Sequence, residues 1–313
     1  MDIATIATSV VSSLGVSAAG AWWLSKALVS HRLAKDLENY KSKWQRELER
    51  EKLEIAGRVK ERVDTLLGDR AAEREYALEA KKRLYQLIGP LKFQLLIACR
   101  DAAHRIEGHG LKAAYDMSVG GYYGVNTIHR ILRPLAISEL IEQQVAYADF
   151  AVDESAIGLL RFKKSATLAF TGGDVMRDHP NVDWNQQSEH LFYATLSEAA
   201  HALIATDANG AKRVIEYHEF ATLFASNHNN QGLSTLARII DQFTMKSKPL
   251  FWVRLVAFGH NCREYVGTAG AGLDFEYRRY NLRALLERSE DEYILANLDA
   301  FKTAVESSIL QKL

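Results

Sequence analysis

Ile3-Ala-Thr-Ile-Ala-Thr-Ser-Val-Val-Ser-Ser-Leu-Gly-Val-Ser-Ala-Ala-Gly-Ala-Trp-Trp-Leu-Ser25 contains no charged side chain. As a helix it rises about 35 Å at roughly 1.5 Å per residue, against a bilayer core of about 30 Å. It reads as one transmembrane helix within residues 1–28. Trp22 and Trp23 suit the headgroup layer at its C-terminal end, and Lys26, His31, Arg32 and Lys35 follow, whereas the other flank offers only Met1 and Asp2. The positive-inside rule then makes the rest of the chain cytoplasmic, in a single-pass arrangement that meets membrane lipid only here.

The span is weakly apolar. Its large side chains are Ile3, Ile6, Val10, Val11, Leu14, Val16 and Leu24, each favouring insertion by only about 0.3–0.6 kcal/mol, while Thr5, Thr8, Ser9, Ser12, Ser13 and Ser17 oppose it. Thr5, Ser9 and Ser12 share one helical stripe, and Gly15 with Ala19 repeats the small-xxx-small spacing that lets helices approach closely in lipid. These features predict a helix that meets copies of itself. Either the Thr/Ser stripe lines a water-filled path in a ring of helices, or it is helix-to-helix contact in an anchored oligomer. A signal peptide would need a positively charged n-region, which is absent.

Residues 29–88 are dense in charge of both signs and contain no proline. Leu33, Leu37, Tyr40, Trp44 and Leu48 form a narrow apolar seam that Ile55, Val59, Val63 and Leu66 resume after a step at Glu51 and Lys52. The spacing predicts a coiled-coil-like stalk with a stutter or hinge at that step. The alternative is a solvated helix folded back on its own domain. Gly68 and Asp69 mark an expected break, with a second helix from Arg70 to Ile88 stopped by Gly89-Pro90.

The remaining residues, 89–313, carry long segments of three-to-four-residue apolar spacing between four prolines, so the fold class expected is all-α, with a helical cytoplasmic domain that binds a ligand or partner. Hydrophobic residues make up 48% of the whole chain, enough for a sizeable core, and a formal net charge of zero argues against a general nucleic-acid coat. Cys99 and Cys262 belong to no CxxC cluster and read as buried, reduced thiols.

Along this domain, Pro90 opens a helix whose apolar run Leu91, Phe93, Leu95, Leu96, Ile97 is too continuous for a solvent face. Ser118-Val-Gly-Gly-Tyr-Tyr-Gly-Val-Asn-Thr127 reads as a loop, with Asn126 or Thr127 capping the helix that carries Arg130 and Arg133. A glycine loop at a helix start beside two arginines is a possible anion site; a capped turn with arginines paired to acids is the plainer reading. Pro134–Val152, Ile157–Phe170, Gln186–Ala205, Gly210–Asn227 and Leu250–Val266 read as further helices. Asp174, Asp178, His179, Asp183 and His190 match no metal-ligand template, so no metal site is assigned. No cofactor fingerprint and no GxSxG, HExxH, P-loop or kinase signature occurs, and no enzyme is expected.

Gly267-Thr-Ala-Gly-Ala-Gly272 lacks the preceding strand of a dinucleotide fingerprint. Beside it stand Tyr277, Arg278, Arg279, Tyr280 and Arg283. Arginine forks for phosphate and aromatic faces for bases are the components of nucleotide or single-strand binding, so these five are the candidate ligand residues. Against this, Asp274, Glu276 and Glu287 lie close enough in sequence to pair with the arginines while the tyrosines fill the core.

A weak, small-residue-rich span, a charged coil and a helical cytoplasmic domain without a catalytic signature together resemble the membrane effectors of bacterial antiphage defence, in plan those of the Hailong channel-forming type. The resemblance is one of architecture over the whole chain. It implies an oligomeric, tetrameric channel in the inner (cytoplasmic) membrane, depolarising the cell under the control of a nucleotide or short single-stranded DNA made by a partner nucleotidyltransferase. The competing expectation is an anchored coiled-coil scaffold that recruits a protein partner.

Overall fold

The computed structural model describes residues 3–112, 115–145, 154–226, 230–271 and 278–308, with side chains at the N-terminus from Gly20 onward. The described residues are mostly helical: ten α-helices, one π-helical turn, one 3-10 turn and one two-stranded hairpin. Contacts divide the chain into two compact units, residues 1–75 and 76–313. Helix α1 runs Ile3–Glu107 and so belongs to both.

The expected break at Gly68–Asp69 and stop at Gly89–Pro90 do not occur, because α1 continues through both. A lone glycine costs about 1 kcal/mol in a helix, which strong formers on either side override. Pro90 removes one amide donor and crowds the preceding turn. It is exposed, however, while Leu84, Ile88, Leu91, Leu95, Cys99, Ala102 and Ile106 hold the opposite side of α1 in the core. Their burial keeps the helix continuous across the defect. Within the apolar run after Pro90, Phe93 is exposed and the buried residues are those at helical spacing.

In the first unit the seam residues Leu33, Leu37, Tyr40, Trp44, Leu48, Ile55, Val59, Val63 and Leu66 are all 46–67% exposed. Lys26 lies 5.1 Å from the centre of the Trp22 ring, one turn back on the helix. Among the described residues no helix is long and apolar enough to cross a membrane. The side chains of Thr5, Ser9, Ser12, Gly15 and Ala19 lie outside the described part, so the stripe expected of them is not among its contacts.

The second unit is organised around α7, Pro249–Ala269, whose residues from Leu250 to Arg263 are all buried. Helix α3, Glu154–Thr171, lies along it, and α2, Tyr122–Val145, bridges α3 to a group formed by α4, Tyr193–His201, α5, Tyr217–Ser226, and α6, Gln231–Ile240. The short helices α8, Leu282–Glu287, α9, Glu292–Ala296, and α10, Leu298–Ser307, close the other side. Asn230, Asn281 and Asp291 cap α6, α8 and α9 by accepting from the amides of Leu233, Ala284 and Ile294. Cys99 of α1 and Cys262 of α7 are buried and hydrogen-bonded to each other; burial first, then this contact, pushes the Cys99 thiol well up, as befits an inert core residue.

Several expected boundaries move. Helix α2 starts at Tyr122 and runs through Pro134, so Pro134 opens no helix and Asn126 and Thr127 are buried inside one rather than capping it. The expected helix 186–205 shrinks to α4. In its place strand β1, Ile204–Thr206, pairs antiparallel with β2, Lys212–Val214, in the register Ile204↔Val214. Arg213 at this hairpin forks onto Glu219 at 2.8 and 2.6 Å, and the Glu219 carboxylate also accepts from the Glu216 amide at the start of α5. At the other end of the domain, α7 runs past the expected end at Val266 and takes in Gly267.

Candidate ligand site

The five residues singled out near the C-terminus do not converge on one surface. Tyr277 lies outside the described residues. Arg278 and Arg279 are exposed. Tyr280 is only 7% exposed: its hydroxyl donates to the Ala103 carbonyl and its ring lies 5.1 Å from the Arg263 guanidinium, which is itself paired with Glu107 at 2.7 Å. A base has no access to that ring. Arg283 bonds Glu287 at 3.2 Å and stands 3.6 Å from Asp299. Glu287 is one of the acids whose proximity in sequence suggested this pairing.

A different set of arginines and tyrosines does meet. Arg105 occupies the last turn of α1, which passes into a π-helical turn, Gly108–Lys112. The wider turn carries His109 into the core beside Tyr115, Phe243 and Trp252, with ring centres 5.7–6.1 Å away. Gly110 makes this possible, since a Cβ there would stand 2.6 Å from the Leu285 side chain and 2.7 Å from Trp252. The His109 Nδ1 accepts from the Tyr115 amide at 3.0 Å. Burial, and secondly the Arg105 charge, push the imidazole pKa down to about 4, so it is a neutral acceptor.

The chain then turns at Ser118–Gly121 and is tied to the end of α6 by the Val119 amide, which donates to Asp241 at 3.1 Å. Gly124 sits where a Cβ would come within 2.3 Å of the Ser118 carbonyl, so the first turn of α2 lies directly on this loop. Tyr123 stacks on Tyr115 with centres 4.8 Å apart and planes 14° from parallel. The Arg105 guanidinium lies 4.9 Å from the Tyr115 centre and 5.3 Å from that of Tyr123, and its Nη2 donates to Asn126 Oδ1 at 2.6 Å. Tyr122 meets Tyr123 and Tyr217 edge-on at 5.4 and 5.6 Å.

Charge here is one-sided. Arg130, one turn beyond Asn126, donates to the Asp101 carbonyl at 3.2 Å, and neither Arg105 nor Arg130 forms an ion pair among the described residues. Arg133, by contrast, is neutralised by Glu216 at 2.8 Å. Burial and then the Arg130 charge lower the Arg105 pKa, the signature of a cation short of a counter-charge. The glycine–tyrosine loop and Arg130 were visible as an anion-site possibility in the sequence. Arg105 and the partner role of Asn126 were not, because nothing in their spacing joins the end of α1 to Tyr123.

The acid and histidine residues of 174–190 do not gather, and no group of three metal-binding side chains occurs among the described residues. His179 instead bonds Asp291 at 3.1 Å and accepts from the Asn181 amide, which uses both ring nitrogens. No protein family matches this chain, and neither a curated protein nor a solved structure matches it.

Proposed function

We propose that this chain is a membrane-anchored, self-associating effector whose cytoplasmic helical domain governs an ion-conducting assembly, in the manner of a defence channel that depolarises the bacterial membrane. The observation that carries the reading is the seam of α1. Nine large apolar side chains from Leu33 to Leu66 recur at coiled-coil spacing and stay 46–67% exposed. Each such side chain gains roughly 1.5–3 kcal/mol on full burial, so a row of them strongly favours a parallel copy of the same helix as its cover. The row follows directly on the uncharged segment Ile3–Ser25, which would hold the copies in one plane and in register. A tetramer, control by a nucleotide or short single-stranded DNA, and a nucleotidyltransferase that makes it complete the proposal.

Ligand control requires that the ligand bind open and closed assemblies with different affinity, the seam carrying the difference to the Thr5, Ser9, Ser12 stripe. The test is expression of the full chain in bacteria, of a form lacking residues 1–28, and of Leu37→Glu with Trp44→Glu. Membrane potential and detergent-extracted mass are followed together. The expected result is an oligomer that depolarises cells, a truncated form that is inert, and a seam variant of monomeric mass. An oligomer that never changes the potential, with Ser9→Leu and Ser12→Leu equally silent, would overturn the channel in favour of an anchored scaffold.

A further inference from the structure

We propose that Arg105, Arg130 and Tyr122 form a nucleotide seat, in which the two guanidiniums hold a phosphate and the exposed ring of Tyr122 carries the base. The inference rests on the reading of this domain as ligand-taking, but not on the pore or the oligomer.

Arg105 is only 8% exposed, yet no carboxylate among the described residues neutralises it. Its Nη2 is held by Asn126, its Nε is buried without a partner, and Nη1 has no hydrogen-bond acceptor among the described residues. A buried cation without a counter-charge is costly, and this one is further opposed by Arg130. An anion between them would relieve both terms. The guanidinium is also fixed in place: the stacked pair Tyr115 and Tyr123 lies against one side of it and Asn126 holds one end, so little side-chain freedom is lost when a ligand arrives. Planar forks of this kind suit phosphate oxygens.

The second component is the aromatic surface. Tyr123 is 41% exposed, with one face stacked on Tyr115, whereas Tyr122 is 58% exposed and stacks on neither of its aromatic neighbours, meeting both in T-shaped contacts. Base stacking on such a ring contributes about 1–3 kcal/mol and tolerates any base. A bare anion would not use it. The ligand class that answers both features at once is a phosphate joined to a flat heterocycle.

The experiment uses full-length protein in detergent and, as probe, a fluorescein-labelled tetradeoxyadenylate with a 5′-phosphate, read by fluorescence anisotropy with mass measured on the same samples. Tyr122→Ala, at an exposed position, is expected to weaken binding about tenfold. Arg130→Gln should weaken it by a similar factor and reduce the salt slope by about 0.7 log units. Arg105→Lys retains charge but not the fork and is expected to lose more; unchanged circular dichroism distinguishes this from misfolding. Binding that these three variants leave intact, binding abolished instead by Arg278→Gln with Arg279→Gln, or equal competition by pyrophosphate in wild type and Tyr122→Ala would overturn the assignment. So would no binding by a protein of intact oligomeric mass. A monomer that binds as expected sustains the seat and sinks the assembly reading instead.

Discussion

Glu189 caps the central helix: its Oε2 accepts from the Leu250 amide at 2.8 Å and from that of Phe251 at 3.2 Å, at the first turn of α7. Pro249 precedes them as the helix's first residue and brings no donor of its own. A carboxylate there satisfies two orphan amides and faces the positive end of the helix dipole. Because α7 is the buried element on which α3, α8 and α10 pack, Glu189→Ala is expected to destabilise the protein by about 2 kcal/mol, seen as a lower urea midpoint with an unchanged slope. A midpoint within error of the wild type would show that water replaces the cap at no loss.

His109 makes the fold acid-sensitive. In the unfolded chain it takes up a proton near pH 6.5, whereas the native imidazole resists protonation to about pH 4. Stability from the neutral ring is therefore fully present above about pH 6.5 and is lost as pH falls towards 4, by about 3 kcal/mol in all. Buried His129, His190 and His260 are shifted in the same direction and add to the effect. His109→Gln, which keeps an acceptor for the Tyr115 amide, should make the decline in unfolding free energy between pH 7 and 5 about 2 kcal/mol shallower. Parallel pH profiles for the two proteins would refute this.

Two glycines should respond oppositely to alanine. At Gly232 in α6 a Cβ would meet the Thr195 carbonyl at 2.5 Å and the Ala199 amide nitrogen at 2.6 Å, both backbone atoms of α4. Gly232→Ala must push the two helices apart and is expected to cost about 3 kcal/mol. Gly57 in α1 has nothing within 4 Å, so Gly57→Ala should raise helix stability by roughly 0.5–1 kcal/mol. Calorimetry of the two variants, with transitions moving in the same direction, would refute the geometric account.

The Tyr115 hydroxyl supplies a further check on the π-helical turn. A Cβ at Gly108 would lie 2.7 Å from it, the far end of a ring already fixed by Tyr123 and Arg105. Gly108→Ala is expected to displace Tyr115 and shift the near-ultraviolet circular dichroism of the tyrosine cluster, at a stability loss of about 1 kcal/mol. An unaltered aromatic spectrum would mean that the ring has room to move.

How much of this could be read in advance follows from the range of the interactions. Helix α7 was legible because Pro249 starts it and the apolar run that follows leaves no polar face. The seam from Leu33 to Leu66 was legible because it repeats. The continuity of α1 past Pro90 was not, since it depends on Leu84, Ile88 and Leu91 being covered by segments far along the chain, which outweighs a local helix-breaking signal. Strands β1 and β2 are three residues each, too short to show an alternation. The arginine–tyrosine cluster joins residues 105, 115–130 and 217, and its key element is a π-helical turn, for which no periodicity stands out. Conversely, Tyr280 and Arg283 carry a persuasive local composition that the fold uses for an internal hydrogen bond and surface ion pairs.

Helix α1 also sets a timetable. Its core-facing side is completed by contacts such as Glu107 with Arg263, 156 residues later, and Ala103 with Tyr280, 177 residues later. At about 5–20 residues per second, synthesis takes roughly 10–30 s to deliver those partners. Through that interval the seam from Leu33 to Leu66 is already made, and the far end of α1 has only its nearer partners, such as Asn126 and Arg130. The order of emergence thus places closure of the helical domain last, after the whole of α1 and its exposed seam have been made.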